Sequence, residues 1–369
     1  FVTDMVVGNM VDPFQVLISA EVDISIDLNA GWNWFTFNVA GETNICAINP
    51  DGTTLIEGLC TNDVLATVEN GLFIKSQSAY ADYYPGYGWY GTLYDMNNTS
   101  TYKLNMNAAD EILYSGAPAD ASSPIELAGG WNWTGYLPQS ALELNYALNS
   151  LTNGIHIKSQ TQYADFYPQY GNIWGGTMTS MYPLTGYQIN MADDETLIYP
   201  DDGFARAMNP VVIPEEEMLF NFNYRNFEFN GVISASVNID NTEIAASDML
   251  ISYIDGECRG YTKPLFFPLT NEYFFPLMTY SSYVEEGPIV FEYYNASEDR
   301  YYQISETIDF ESDMIVGNGV TPFEMNGFNN EIMPDLHIVS AYPNPFNPVT
   351  NIEFSIAEPG NVQVIVYDV

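Results

Sequence analysis

Apolar and polar positions alternate with period two along much of this chain, the spacing of half-buried strands. Ile24-Ser25-Ile26-Asp27-Leu28 is the clearest case, and Trp32, Trp34, Phe35 and Phe37 follow as bulky residues suited to a pleated face. The pattern then returns. Gly31-Trp32-Asn33-Trp34, Ile74-Lys75-Ser76-Gln77 and Tyr80-Ala81-Asp82 recur as Gly130-Trp131-Asn132-Trp133, Ile157-Lys158-Ser159-Gln160 and Tyr163-Ala164-Asp165. Further on, Trp89, Gly91-Thr92, Tyr102, Met106 and Tyr114 match Trp174, Gly176-Thr177, Tyr187, Met191 and Tyr199. Self-similarity of this kind predicts two tandem strand-rich modules, residues 17–116 and 117–203. One short helix is expected in each, from Leu142, Tyr146, Leu148 and Leu151 ended by Asn153-Gly154, and from Asn62–Val68 ended by Asn70-Gly71. Linkers are expected at 117–124 and 200–203.

From residue 204 to 330 the pattern changes to short strands with turn signals such as Asp255-Gly256 and Glu286-Gly287-Pro288, which predicts an immunoglobulin-like β-sandwich. Its expected strands are 220–229, 232–239, 249–254, 259–261, 273–278, 289–294 and 301–304. The expected fold class is therefore mainly β: tandem β-rich repeats, an immunoglobulin-like sandwich, and a partial sandwich over 331–369. Residues 1–16 align without a gap to residues 310–325, with identities including Phe1/Phe310, Asp4/Asp313, Met5/Met314, Val7/Val316, Pro13/Pro322 and Phe14/Phe323. The chain thus opens on the closing strands of a sandwich-type module. Two readings stand: the chain is a mature or partial piece of a longer multi-module protein, or residues 1–16 complete a neighbouring subunit by strand exchange through Phe1, Met5, Val7, Pro13 and Phe14.

Composition narrows the function. Eight Lys and Arg against 48 Asp and Glu give a net charge of −40, too few cations to neutralise nucleic-acid phosphates or bind an anionic membrane surface. No apolar run is long enough for a membrane-spanning helix. The charge favours solubility and cation binding, with self-repulsion screened by salt. Of the three cysteines, Cys46 and Cys60 bracket a turn-rich loop absent from the second repeat. A disulfide there would stabilise by about 3 kcal/mol in the chain-entropy model; two buried thiols are the alternative.

The segment Tyr342-Pro343-Asn344-Pro345-Phe346-Asn347-Pro348, continued by Asn351–Phe354, Pro359-Gly360 and Tyr367-Asp368, resembles the start of a type IX secretion C-terminal sorting domain, here truncated. The resemblance implies export across an outer membrane to the cell surface or medium. The tandem repeats and the sandwich with Asp255-Gly256-Glu257-Cys258-Arg259-Gly260 also resemble modules of large secreted proteins with that signal, which carry no assigned enzymatic role.

Little points to catalysis. The only histidines are His156, which replaces Phe73 of the first repeat, and His337; no nucleophile elbow, phosphate loop or His-Glu-x-x-His is present. Lys75 and Lys158 hold equivalent places, each seven residues before Asp82 and Asp165, and two structural ion pairs within hairpins are expected, against solvent-facing lysines. Tyr83, Tyr84, Tyr87, Trp89, Phe166, Tyr167, Tyr170 and Trp174 form a candidate aromatic contact surface, either a polysaccharide platform or core and module contacts. No cofactor is expected; Asp/Asn-rich turns at 49–52, 191–195 and 201–203 are candidate Ca²⁺ sites or plain solvated turns. The function expected is a non-catalytic extracellular structural or adhesive protein, in contact with its own modules or further copies. The alternative is a glycan-binding region of a secreted enzyme.

Overall fold

The computed structural model describes residues 21–41, 43–48, 55–201, 220, 222–239, 244–328, 337–342 and 351–355. The strand-exchange residues Phe1, Met5, Val7, Pro13 and Phe14 lie outside these, as do the turn at 49–52 and most of 331–369. The protein is mainly β. Each repeat is built on a five-stranded antiparallel sheet with the same strand order. In the first it runs Gly31–Phe35, Tyr102–Met106, Gly71–Lys75, Tyr80–Tyr84, Gly88–Gly91. In the second it runs Gly130–Thr134, Tyr187–Met191, Gly154–Lys158, Tyr163–Tyr167, Ile173–Gly176. One face of each sheet closes a core of its own, around Phe35, Ile74, Trp89, Tyr102 and Leu104 in the first and Ile157, Trp174, Tyr187 and Ile189 in the second.

Among the described residues the α-helices are single turns, Thr61–Val64 and Leu144–Ala147, and Leu142 lies in a short strand paired with Met181. Gly71 and Gly154 do not stop helices; each opens a strand. A Cβ on either would meet a tryptophan ring at 2.4 Å, Trp89 in one repeat and Trp174 in the other. The Asn-Gly signal therefore reports close packing of a ring over backbone, not a left-handed helix end. The first linker also begins later than expected, because the strand Asp110–Pro118 pairs Ala117 and Pro118 with Ala40 and Val39. The loop peculiar to the first repeat forms a hairpin, Asn44–Ile48 with Leu55–Cys60, and Cys46 and Cys60 are joined by a disulfide.

The third unit is sandwich-like. Phe229–Asn238 pairs antiparallel with Glu272–Ser281 and parallel with Ile315–Val316 and Phe323–Phe328. Met249–Ile254 joins Glu257–Thr262 to Glu285–Asn295, with Asp255 and Gly256 both at positive φ in the two-residue turn. Ile233, Ala235, Leu250, Phe275, Phe291, Tyr293 and Met325 fill its core. Among the described residues the expected first strand does not form before Phe229: 222–228 holds a 3₁₀ turn at Tyr224–Asn226, and Arg225 and Phe227 contact the repeats. His337–Tyr342 and Asn351–Ser355 form an antiparallel pair. Among the described residues no helix is long and apolar enough to cross a membrane.

Candidate functional site

The residues shared by the two repeats converge where the modules meet. Gly31 and Gly130 take positive φ, +85° and +94°, to turn the chain into the sheet. The asparagine two places on ties that turn: Asn33 Nδ2 donates to the Asn29 carbonyl at 2.7 Å, and Asn132 Nδ2 to the Ala128 carbonyl at 2.7 Å. The tryptophans stay out of the module cores: Trp32 packs edge-on to Phe73 and Trp131 to His156, while the Trp133 ring lies beside Lys75 and Lys103 of the first repeat. There the glutamines cross over. Gln77 Nε2 donates to the Trp131 carbonyl (2.7 Å) and its Oε1 accepts from the Trp133 N–H (2.9 Å). Gln160 does the same to Trp32 (2.8 Å) and Trp34 (3.3 Å). The backbone bridges Phe35 to Thr185 and Ser100 to Thr134 are likewise equivalent under exchange of the repeats. The two repeats therefore pack as an intrachain pseudo-dimer through a self-complementary patch, the geometry of a two-fold interface.

Two lysines, Lys103 and Lys158, are buried at this junction. Lys103 Nζ lies 3.8 Å from the Trp34 ring centroid and 4.5 Å from that of Trp133; Lys158 Nζ lies 4.8 Å from Trp131. Burial, reinforced by the neighbouring Lys158, pushes the Lys103 amine well below its usual value. Lys158 is lowered by burial too, against the pull of Asp313. Asp313 is held below its usual value although burial opposes this, because Lys158 and then Lys103 favour its charge.

The expected pairs Lys75–Asp82 and Lys158–Asp165 do not form. Lys75 stands opposite Tyr80 and Asp82 opposite Phe73, so lysine and aspartate are diagonal neighbours separated by a stack of rings. The same register sets Lys158 against Tyr163 and Asp165 against His156. Each lysine turns instead to the sandwich unit: Lys75 to Glu228, and Lys158 to Asp313 at 2.6 Å. Asp165 Oδ1 instead lies 2.8 Å from His156 Nδ1, both side chains buried.

The aromatic surface also divides. Trp89, Trp174 and Phe166 belong to the module cores. Tyr83 is half-buried and packs against Trp89. In the second repeat Tyr163 and Tyr167 are 0% and 3% exposed beneath the sandwich, where Tyr163 packs with Val232 and Tyr280, and Tyr167 with Phe267. Their first-repeat equivalents Tyr80 and Tyr84 are 47% and 50% exposed, flanked by Tyr87 at 79% and Tyr90 at 57%; Tyr170 is exposed as well. So one tyrosine-bearing sheet face is covered by a module and its equivalent is open.

A further pair was missed from sequence. Asp110 Oδ2 accepts from the Glu69 and Asn70 N–H groups, and Glu195, its repeat equivalent, from those of Thr152 and Asn153. These bonds hold both carboxyls below their usual values despite slight burial. The matched spacing of an acid in the last strand with the Asn-Gly was the signal. At 191–195 Asp194 makes a further contact of this kind, accepting from Gly129 N–H at 2.8 Å. Among the described residues no group of three or more His, Cys, Asp or Glu could hold a metal ion. Two clefts of about 420 and 370 Å³ flank Gln77, Ser100 and Trp133, with no histidine or cysteine in their walls. Burial raises the Cys258 thiol to about 11, so it is not a nucleophile at neutral pH. No family model, curated protein or solved structure matches this chain.

Proposed function

We propose that this chain is part of a non-catalytic extracellular structural or adhesive protein that works through interfaces between modules. The observation that carries the reading is how the repeated residues are used. Glycine, asparagine, tryptophan, lysine and glutamine of the motifs all build contacts within and between modules, and none is left poised for turnover. The open tyrosine face of the first repeat then serves as the next contact surface, continuous with the junction that Lys75 already makes with Glu228. Large amphipathic rings suit that role. The reading also takes the third unit as immunoglobulin-like and 331–369 as a partial type IX sorting domain, which directs the protein to the cell surface or medium. Strand exchange through residues 1–16 is a subsidiary route to self-assembly: their counterparts in 310–325 include Phe323 and Met325, which pair with the central Phe229–Asn238 strand.

A second reading, polysaccharide binding, is favoured by the same rings, since Tyr84, Tyr87 and Tyr90 are exposed close together, Tyr84 edge-on to Tyr90. The triple variant Tyr84→Ser, Tyr87→Ser, Tyr90→Ser separates the two in sedimentation experiments run with and without polysaccharide. The first reading expects wild-type self-association that the variant loses, with no effect of glycan. Monomeric wild type that shifts only with polysaccharide would replace it with the second. Trp89→Ala is unsuitable here, because it would empty the core.

A further inference from the structure

Lys158, Asn230 and Asp313 come from three separated parts of the chain and meet inside the boundary between the second repeat and the sandwich. Lys158 Nζ lies 2.7 Å from Asn230 Oδ1, 3.1 Å from the Asn230 carbonyl oxygen and 2.6 Å from Asp313 Oδ1. Lys158 and Asn230 are 1% and 2% exposed. The Asn230 amide plane is fixed from its other end, where Nδ2 donates to the Gln160 carbonyl at 3.3 Å. The Asp313 N–H donates to the Asn230 carbonyl at 3.0 Å, and Asp313 adopts φ +65°, an uncommon conformation for a residue other than glycine. Backbone and side chain thus aim an amine, a carboxamide and a carboxyl at one another, with the Trp131 ring over the amine.

We propose that Lys158 and Asn230 become joined by an amide bond between their side chains, with Asp313 relaying the proton. The ion pair is the resting form. Moving one proton along the Lys158–Asp313 hydrogen bond gives a neutral amine and a carboxylic acid, and burial of the amine, 1% exposed against 29% for the Asp313 side chain, favours its neutral form. The Lys158 nitrogen then attacks Cγ of Asn230: the N–C bond forms and the carbonyl pair moves to Oδ1, which Asp313 stabilises by hydrogen bonding. Asp313 next gives the proton it holds to Nδ2 and takes one of the two protons on the attacking nitrogen. The carbonyl reforms as the Cγ–Nδ2 bond breaks, and the departing ammonia takes the remaining proton from Asp313 and leaves as ammonium. Ion-paired amine plus carboxamide becomes secondary amide plus ammonium, the Asp313 carboxylate is regenerated, and no oxidant, reductant or external cofactor enters. Holding the reactants in contact replaces a collision that is very slow in free solution. Lys75, the equivalent lysine, faces the Glu228 carboxylate and no carboxamide, so it stays an ion pair. The product ties the second repeat covalently to the sandwich across 72 residues of sequence.

Mass spectrometry of the intact, reduced chain tests this. The expected mass is short of the sequence mass by one ammonia, and proteolysis yields a branched peptide joining the Lys158 and Asn230 segments. Lys158→Arg, which keeps a cation for Asp313, should restore the full mass, less the expected residue change. Asp313→Asn should slow bond formation by about 10²-fold or more, the usual loss when a proton relay is removed. Wild type at full sequence mass, with separate linear peptides, overturns the proposal whatever the variants do. Ammonia loss without a branched peptide also overturns it, because Asn230 precedes Gly231 and an internal imide there would lose the same mass.

Discussion

Gln77 and Gln160 carry the exchange between the repeats, each closing a donor and an acceptor on the other repeat's tryptophan strand. Replacing one with alanine leaves a backbone N–H and C=O short of partners, a loss of about 1–3 kcal/mol. Chemical denaturation of Gln77→Ala and Gln160→Ala should show similar losses at the two sites; an unchanged midpoint in both would show that the crossover does not hold the pair together. Asp110 and Glu195 give a pH signature. Both carboxyls titrate below their usual 3.8 and 4.5 in the folded chain, so the unfolded state binds more protons once the pH falls into that range. Their contribution is present above about pH 4.5 and is lost as pH falls through the depressed folded values. Comparing wild type with Asp110→Asn/Glu195→Gln cancels the general relief of charge repulsion on acidification. The wild-type advantage should be constant from pH 7 to about 5 and shrink below about 4; an advantage independent of pH would contradict the hydrogen-bond account.

At the scale of elements, the glycine opening the Gly154–Lys158 strand is needed because the Trp174 ring lies on it. Gly154→Ala should destabilise by about 1–3 kcal/mol through displacement of that ring, read as a lower denaturation midpoint. A stability gain, as for an exposed glycine in a favourable conformation, would refute the packing role. This position also shows what could be read from sequence. The two-residue period located the strands that the repeats share, because alternation is a local signal. The Asn-Gly turn and the Lys–Asp spacing were misread, because each depends on what a third segment brings: a ring from Trp174, a carboxylate from Glu228 or Asp313. The 222–228 segment, expected as part of a strand, serves contacts between units instead: Phe227 packs with Tyr163 of the second repeat, and Arg225 Nη1 donates to Asn33 Oδ1 of the first at 2.9 Å. The shared tryptophans, lysines and glutamines were legible as a set; their use at an interface between repeats was not, since no single copy contains both halves of it.

For the whole molecule, a net charge of −40 opposes association at low salt, while a sheet face with four exposed tyrosines favours it once charge is screened. Assembly should therefore strengthen with salt, the reverse of an association driven by opposite charges. The open face of the first repeat is not a copy of the covered one: Tyr90 stands where the second repeat has Gly175, and a Cβ on Gly175 would already approach Phe267 at 3.0 Å. Any partner on the first repeat must present a shape different from the sandwich surface that covers the second. Negative-stain microscopy of the purified intact chain at physiological salt tests the central claim most directly. Regular fibres or sheets that grow with protein and salt concentration, and vanish in the Tyr84→Ser/Tyr87→Ser/Tyr90→Ser variant, are the predicted result. Isolated single particles at every concentration and salt level would contradict it.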